Sequence, residues 1–306
     1  MPEEIPPRPA PSVGRTRAPG WRLRVAKRSL RKVINVYNLL YGSDGRKGST
    51  RVRVLRTFPM FVPFSAGGYP ARARLTIQAI NQTIPLLAAV GRAVGTVRTV
   101  VSGIRDFPAG RDDLEAAAEL KSCLDAHGSD KANQNDYHYL YGPILRDRAA
   151  ISSVLEIGLG TYNDDIVSHM GADGRPGASL RAFRDFLPNA HIYGADVDAR
   201  ILFREQRIDT FFVDQTDLSS FADLERAVPA MLDLVIDDGL HSPNANLATL
   251  RFGLAKIKVG GWVVIEDISA AALPVWEIVA ALLPDSHRSY ILQAQSTIVF
   301  AVRRLR

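Results

Sequence analysis

Val154-Leu155-Glu156-Ile157-Gly158-Leu159-Gly160 is the stretch on which the fold turns. A short apolar run broken by one glutamate reads as a strand buried on both faces. The two glycines that follow let the backbone turn sharply and pass close to a ligand. Outward from this run, further short apolar runs occur at 190–195, 208–213, 232–236 and 261–265, and amphipathic stretches separate them. Residues 113–127 and 137–146 carry helical patterns ahead of the first run, which itself spans 153–157. Alternation of this kind predicts an α/β fold, a doubly wound and mostly parallel sheet with helices on both faces. Ligands of such sheets bind beyond the carboxyl ends of the strands.

The residues just past each run therefore carry the chemistry. Gly158 and Gly160 form the first turn, and Asn163 stands where a nicotinamide-binding loop continues to a third glycine. The second run ends in Gly194-Ala195-Asp196, which sets a carboxylate to accept hydrogen bonds from ribose hydroxyls. The third ends in Val213-Asp214-Gln215, whose side-chain oxygens can receive an adenine amino group. Any one of these is also a plain helix cap or a solvated strand end. Three at successive strand ends point to a nucleoside ligand.

With these residues in place the chain resembles the class I S-adenosylmethionine-dependent methyltransferases. More narrowly it resembles their metal-dependent branch, which includes macrolide-sugar O-methyltransferases and cephalosporin-hydroxylase-like proteins. The likeness rests on 154–160 and on Ser129-Asp130-Lys131, Tyr137 and Tyr141, Ser179-Leu180-Arg181, Phe186-Leu187-Pro188-Asn189-Ala190, Asp214-Gln215-Thr216-Asp217 and Ile236-Asp237-Asp238-Gly239-Leu240-His241. It covers roughly residues 125–270. It departs from the family at Val213, at Asn135 and in the long loop 161–177. The resemblance implies that Glu156, Gly158 and Asp196 hold the amino-acid and ribose parts of S-adenosylmethionine, with Asp214 and Gln215 beside the adenine.

The fourth run exits into Asp237-Asp238 and the fifth into Glu266-Asp267. Carboxylates crowded at neighbouring strand ends repel one another, and a hard divalent cation keeps them ionised together. Oxygen ligands without a thiolate favour Mg²⁺ over zinc. Asp238, Glu266 and Asp267 are the expected ligands, a set the resemblance also implies, and Asp237 is left to face the sheet. His241, three residues beyond Asp238, is the expected general base. Each feature has a plainer reading, His241 as a helix-start residue and Glu266-Asp267 as a cap for the next helix. One metal-dependent site for methyl transfer to a hydroxyl accounts for both.

The formal net charge of +6 is unevenly spread. Residues 1–56 hold 14 Lys/Arg against Glu3, Glu4 and Asp44, a balance of +11 that leaves −5 for the rest. Residues 1–20 are rich in proline and arginine, which predicts a disordered tail and no secretory leader. Residues 21–41 form a basic amphipathic pattern, either a helix docked on its own protein or a contact for an anionic membrane surface; the basic stretch 21–56 carries that contact, and no nucleic-acid partner is expected. The expected domains are the tail at 1–20, a basic helical auxiliary region at 21–112 with an apolar helical run at 75–101, and a methyltransferase domain at 113–306.

Cys123 is the only cysteine, so the chain has no disulfide framework, and a reducing cytoplasm is its expected setting. The expected acceptor is a small molecule or glycan, with a sugar hydroxyl preferred to a catechol-type diol, and a homo-oligomer is allowed for. A non-catalytic, membrane-tethered binding protein on the same scaffold needs neither the metal ligands nor the base. A small-molecule oxygenase needs two histidines and a carboxylate for iron, a set these strand ends do not offer.

Overall fold

The computed structural model describes residues 69–172 and 174–306. The tail expected at 1–20 and the basic helix expected within 21–41 lie outside the described residues. The chain divides into two compact units, Met1–Thr83 and Ile84–Arg306, and the second holds the sheet. Helix α1 (Tyr69–Ala93) covers most of the expected apolar run 75–101 but ends before it does, because Gly95 turns the chain left-handed at φ +75°. The residues beyond it supply β1 (Val101–Gly103), an edge strand where the sequence predicted more helix.

Next come α2 (Arg111–His127), α3 (Asp130–Asn133), α4 (His138–Ile144) and β2 (Ser153–Ile157). They are followed by α5 (Ala178–Phe186), β3 (His191–Asp196), β4 (Arg204–Glu205), β5 (Ile208–Phe212) and α6 (Ser220–Ala227). The C-terminal part comprises β6 (Leu232–Asp237), α7 (Pro243–Lys256), β7 (Ile257–Ile268), α8 (Leu273–Leu282), β8 (His287–Gln293) and β9 (Ile298–Arg304).

The nine strands of the described residues form one sheet in the order β1-β8-β9-β7-β6-β2-β3-β5-β4. The centre is parallel, and β9 runs antiparallel between β7 and β8. The order reverses at β2, flanked by β3 and β6, which makes the carboxyl end of β2 the place for a ligand crevice. All five expected runs are strands of this sheet. The hairpin β8–β9 and the short strands β1 and β4 are additions that apolar runs alone did not reveal.

Side chains alternate between two cores. Val154, Ile192, Leu234, Ile236 and Val264 pack with Leu120, Leu124, Leu140 and Phe183 of α2, α4 and α5. Leu155, Ile157, Val235, Val263, Ile265 and Phe300 pack with Leu224, Phe252 and Trp276 of α6, α7 and α8. Cover on both faces explains why the central strands read as nearly continuous apolar runs.

Candidate active site

Gly158 has φ +100°, and a Cβ there would lie 1.9 Å from the carbonyl oxygen of Asp238. Only glycine lets the turn after β2 and the loop after β6 approach this closely. Main-chain bonds hold the approach: Asp238 N–H donates to Ile157 O at 2.7 Å, and Gly158 N–H donates to Ala195 O at 2.8 Å. Gly160, at φ +78°, packs its open face on Met170, whose Sδ lies 2.6 Å from where a Cβ would stand.

Asp196 lies against this turn. It accepts from Leu159 N–H at 2.7 Å and from Asp198 N–H at 2.8 Å. Burial raises its carboxyl pKa, and those two amides oppose the shift. Asp198 straps the turn in place. It accepts from Thr161 Oγ1 and Asn163 Nδ2, each at 2.6 Å, and from Arg200 Nε at 2.6 Å. The Arg200 bond does most to hold its carboxyl well below the usual range.

At the third strand end Asp214 closes its own turn, accepting from Thr216 N–H at 2.9 Å and Thr216 Oγ1 at 2.7 Å. Gln215 is buried and spends its amide internally. It donates to Asp237 Oδ1 and Thr249 Oγ1, each at 2.8 Å, and accepts from Leu240 N–H at 2.8 Å. It thus ties β5 to the loop that carries Asp238 and His241.

Register separates the carboxylates into two sets. Val154 and Glu156, Ile236 and Asp238, and Val264 and Glu266 share one face of the sheet by the two-residue period, so these three acids continue the α2–α5 side. Asp237 points the other way, where Gln215 and Asn246 hydrogen-bond it. On the shared face Lys131, 2% exposed, brings its Nζ to Glu156 Oε1 at 3.0 Å, Asp238 Oδ2 at 2.5 Å and Glu266 Oε2 at 2.5 Å. Burial disfavours the ammonium, but its three carboxylate neighbours prevail and raise its pKa well above the ordinary lysine value. Ser179 Oγ donates to the second oxygen of Glu156 at 2.6 Å. Tyr141 donates to Glu266 Oε1, and Tyr137 donates to Asp267 Oδ1 at 2.6 Å.

The tyrosines stand four residues apart, so one stretch of chain braces both acids of the β7 end. Burial raises the Glu266 carboxyl pKa against the pull of Lys131, and for the same reasons that of Asp238 is pushed up to about 6.

His241 and Asp267 adopt left-handed backbone, at φ +55° and +52°. Non-glycine residues bear this strain at a cost of about 1–3 kcal/mol, and such strain gathers at functional sites. His241 Nε2 lies 4.0 Å from Asp238 Oδ1 and 3.9 Å from Asp267 Oδ2. One donor atom from each of these three residues falls within 4.8 Å of the others. The two carboxylate oxygens are hard donors that suit Mg²⁺, whereas the imidazole beside them is a softer donor that Mg²⁺ does not favour. Of the expected ligand set, Asp238 and Asp267 meet here beside His241, and Glu266 lies behind them with both oxygens engaged. Beside the open glycine turn, Asp196 is a carboxylate acceptor of the kind that ribose hydroxyls bond.

Such a sheet, with these residues at the point where strand order reverses, is the Rossmann-like methyltransferase fold. The chain resembles the class I O-methyltransferases that act on sugars of natural products. It is 32% identical over 154 residues to the 8-demethyl-8-alpha-L-rhamnosyl tetracenomycin-C 2'-O-methyltransferase of Streptomyces olivaceus, an alignment that covers 49% of this chain and 38% of that one. It is 38% identical over 122 residues to the mycinamicin VI 2''-O-methyltransferase of Micromonospora griseorubida, covering 40% and 28%. The chain thus spans well under half the length of these curated relatives. A solved structure of the MycE methyltransferase of the mycinamycin biosynthetic pathway, in complex with Mg and SAH, is 24% identical, covers 61% of this chain and 55% of its own, and superposes with a TM-score of 0.49. No family model matches the chain.

Proposed function

We propose that this chain transfers a methyl group from S-adenosylmethionine to a hydroxyl of a sugar, in a magnesium-dependent reaction. The observation that carries this is the convergence of Asp238, Asp267 and His241 at the carboxyl ends of β6 and β7, beside the glycine turn. A structural scaffold has no use for two strained residues, an imidazole and paired carboxylates in one crevice.

Glu156, Gly158, Gly160 and Asp196 serve the amino-acid and ribose parts of the methyl donor, and Asp214 and Gln215 border its adenine. Asp238 and Asp267 offer oxygens to the ion, with Glu266 as the third carboxylate immediately behind. A bound magnesium ion supplies Lewis-acid polarisation of the acceptor hydroxyl. His241 accepts the hydroxyl proton as the new O–CH3 bond forms and the sulfonium C–S bond breaks. The acceptor is a small molecule or glycan, and the activities named for the relatives favour a sugar over a catechol. A cytoplasmic setting, contact of residues 21–56 with an anionic membrane and self-association complete the proposal.

The test is methyl transfer from labelled S-adenosylmethionine to a panel of glycosides and catechols, with and without Mg²⁺. His241→Ala is expected to bind the methyl donor normally and lose on the order of 10²–10⁴ in turnover at neutral pH, with part of the loss recovered as pH rises. Wild-type turnover by that variant removes His241 from the chemistry, and activity that survives chelation removes the metal.

A further inference from the structure

Helix α1 turns apolar side chains to solvent, where a surface helix ordinarily turns polar ones. Leu86, Leu87, Val90 and Val94 are 60%, 51%, 58% and 67% exposed, and all four belong to the unit that holds the sheet. On a helical wheel they fall within an arc of about 100°. Ala88, fully buried, lies on the opposite side, so the helix rests on the protein through its small residues and faces outward with its large ones. No charged residue occurs from Leu75 to Gly91 to interrupt the row. Its end is tied down, because the chain turns at Gly95 and the N–H groups of Thr96 and Val97 donate to Gly91 O at 3.0 and 3.1 Å.

The charge along this part of the chain is of one sign. From Gly45 to Arg105 there are ten Lys/Arg and no Asp/Glu. Arg92 is paired with Glu277 and Arg105 with Asp136, while Arg98 stays exposed just past the helix.

We propose that the outward row of α1 is a membrane-docking face, which enters the headgroup boundary of an anionic bilayer while the surrounding arginines and lysines meet the lipid phosphates. An interfacial helix binds by this combination of buried apolar area and attraction to anionic lipid. A second copy of the chain would cover the row but bring the same unbalanced positive charge against it. A nucleic acid would answer the charge but leave the row in water, since bases stack on aromatic rings and the row has none. The inference extends the membrane contact of residues 21–56 to a second, apolar surface, and it is independent of the chemistry at the strand ends.

The experiment is flotation of the full chain with vesicles of phosphatidylcholine alone and of phosphatidylcholine containing about one-third phosphatidylglycerol. It compares wild type, the double variant Leu86→Gln with Val90→Gln, and Val259→Gln, an exposed apolar control in β7. All replaced side chains are exposed, so the variants are expected to melt like wild type, and their charge is unchanged. Wild type and Val259→Gln are expected to float with the anionic vesicles and not with the neutral ones. The double variant is expected to bind the anionic vesicles at least about tenfold more weakly. Binding within about threefold of wild type would leave the contact to the basic stretch alone and overturn the role of the row. Wild type that floats with neither vesicle overturns this proposal and the contact of residues 21–56 together. Light scattering supplies the remaining outcome: a wild-type dimer that the double variant converts to a monomer assigns the row to a second copy and overturns the proposal.

Discussion

Glu156, Asp238 and Glu266 sit one pleat beyond apolar residues of the same face, and this explains how three acids come to surround one lysine. Their position at strand ends was legible in the sequence because apolar runs stop where the crevice begins. Lys131 was not, since its partners lie 107 and 135 residues away and local pattern carries no trace of such contacts. Gln215 shows the same limit, as a side chain read for adenine spends its amide on Asp237, Thr249 and Leu240.

Two residue-scale predictions follow from geometry. Asp196→Ala removes the acceptor of two main-chain N–H groups beside the turn, at a cost of roughly 1–3 kcal/mol, and calorimetry is expected to find S-adenosylmethionine bound about tenfold or more weakly. Unchanged affinity would assign the ribose to another residue. Gly158→Ala drives a Cβ into the Asp238 carbonyl at a left-handed φ, so denaturant unfolding is expected to report a loss of about 3 kcal/mol or more. A loss below about 1 kcal/mol would mean that the two loops can separate freely.

At the scale of elements, the apolar runs located the five core strands because cover on both faces leaves them few polar positions, and buried ones such as Glu156 and Asp233 are paired with lysines. The β8–β9 hairpin escaped notice for the opposite reason. β8 opens with His287, Arg288 and Ser289, and no glycine or proline marks its turn. The glycine turn is held as an element by Asp198, which joins Thr161, Asn163 and Arg200. A carboxyl whose folded pKa lies below its unfolded value stabilises the protein fully above the unfolded value, about 3.9, and loses that contribution as pH falls through the folded one. Thermal melts are therefore expected to separate wild type from Asp198→Asn by several degrees at pH 6–7, with the gap closing below about pH 4. A gap that is constant from pH 7 to pH 3 would mean that the strap acts through shape and not through charge.

For the whole molecule, charge and composition separated a basic N-terminal stretch from the rest, and no helix among the described residues is long and apolar enough to cross a membrane. The start of the sheet-bearing unit is a sharper question. Composition sets it at 113, but β1 pairs with β8 through Val101, Ser102 and Gly103. Ile104 is buried at 2%, and Phe107 packs edge-on against Trp262 and Tyr290, with ring centroids 6.1 and 5.4 Å apart. A chain that begins at 113 loses these contacts and bares the edge of β8, an invitation to pair with another molecule. Burial of Ile104 is worth about 1.5–3 kcal/mol and the half-buried Phe107 adds to it, so at about 2–4 °C per kcal/mol the shortened chain is expected to melt at least about 3 °C lower and to associate on warming. A chain that begins at Ile84, where the second compact unit starts, keeps β1 and is expected to melt within about 2 °C of the full chain. Calorimetry and light scattering on the two shortened chains decide between the boundaries. If the chain from 113 melts like the chain from 84, β1 is ornamental and the unit begins where composition changes.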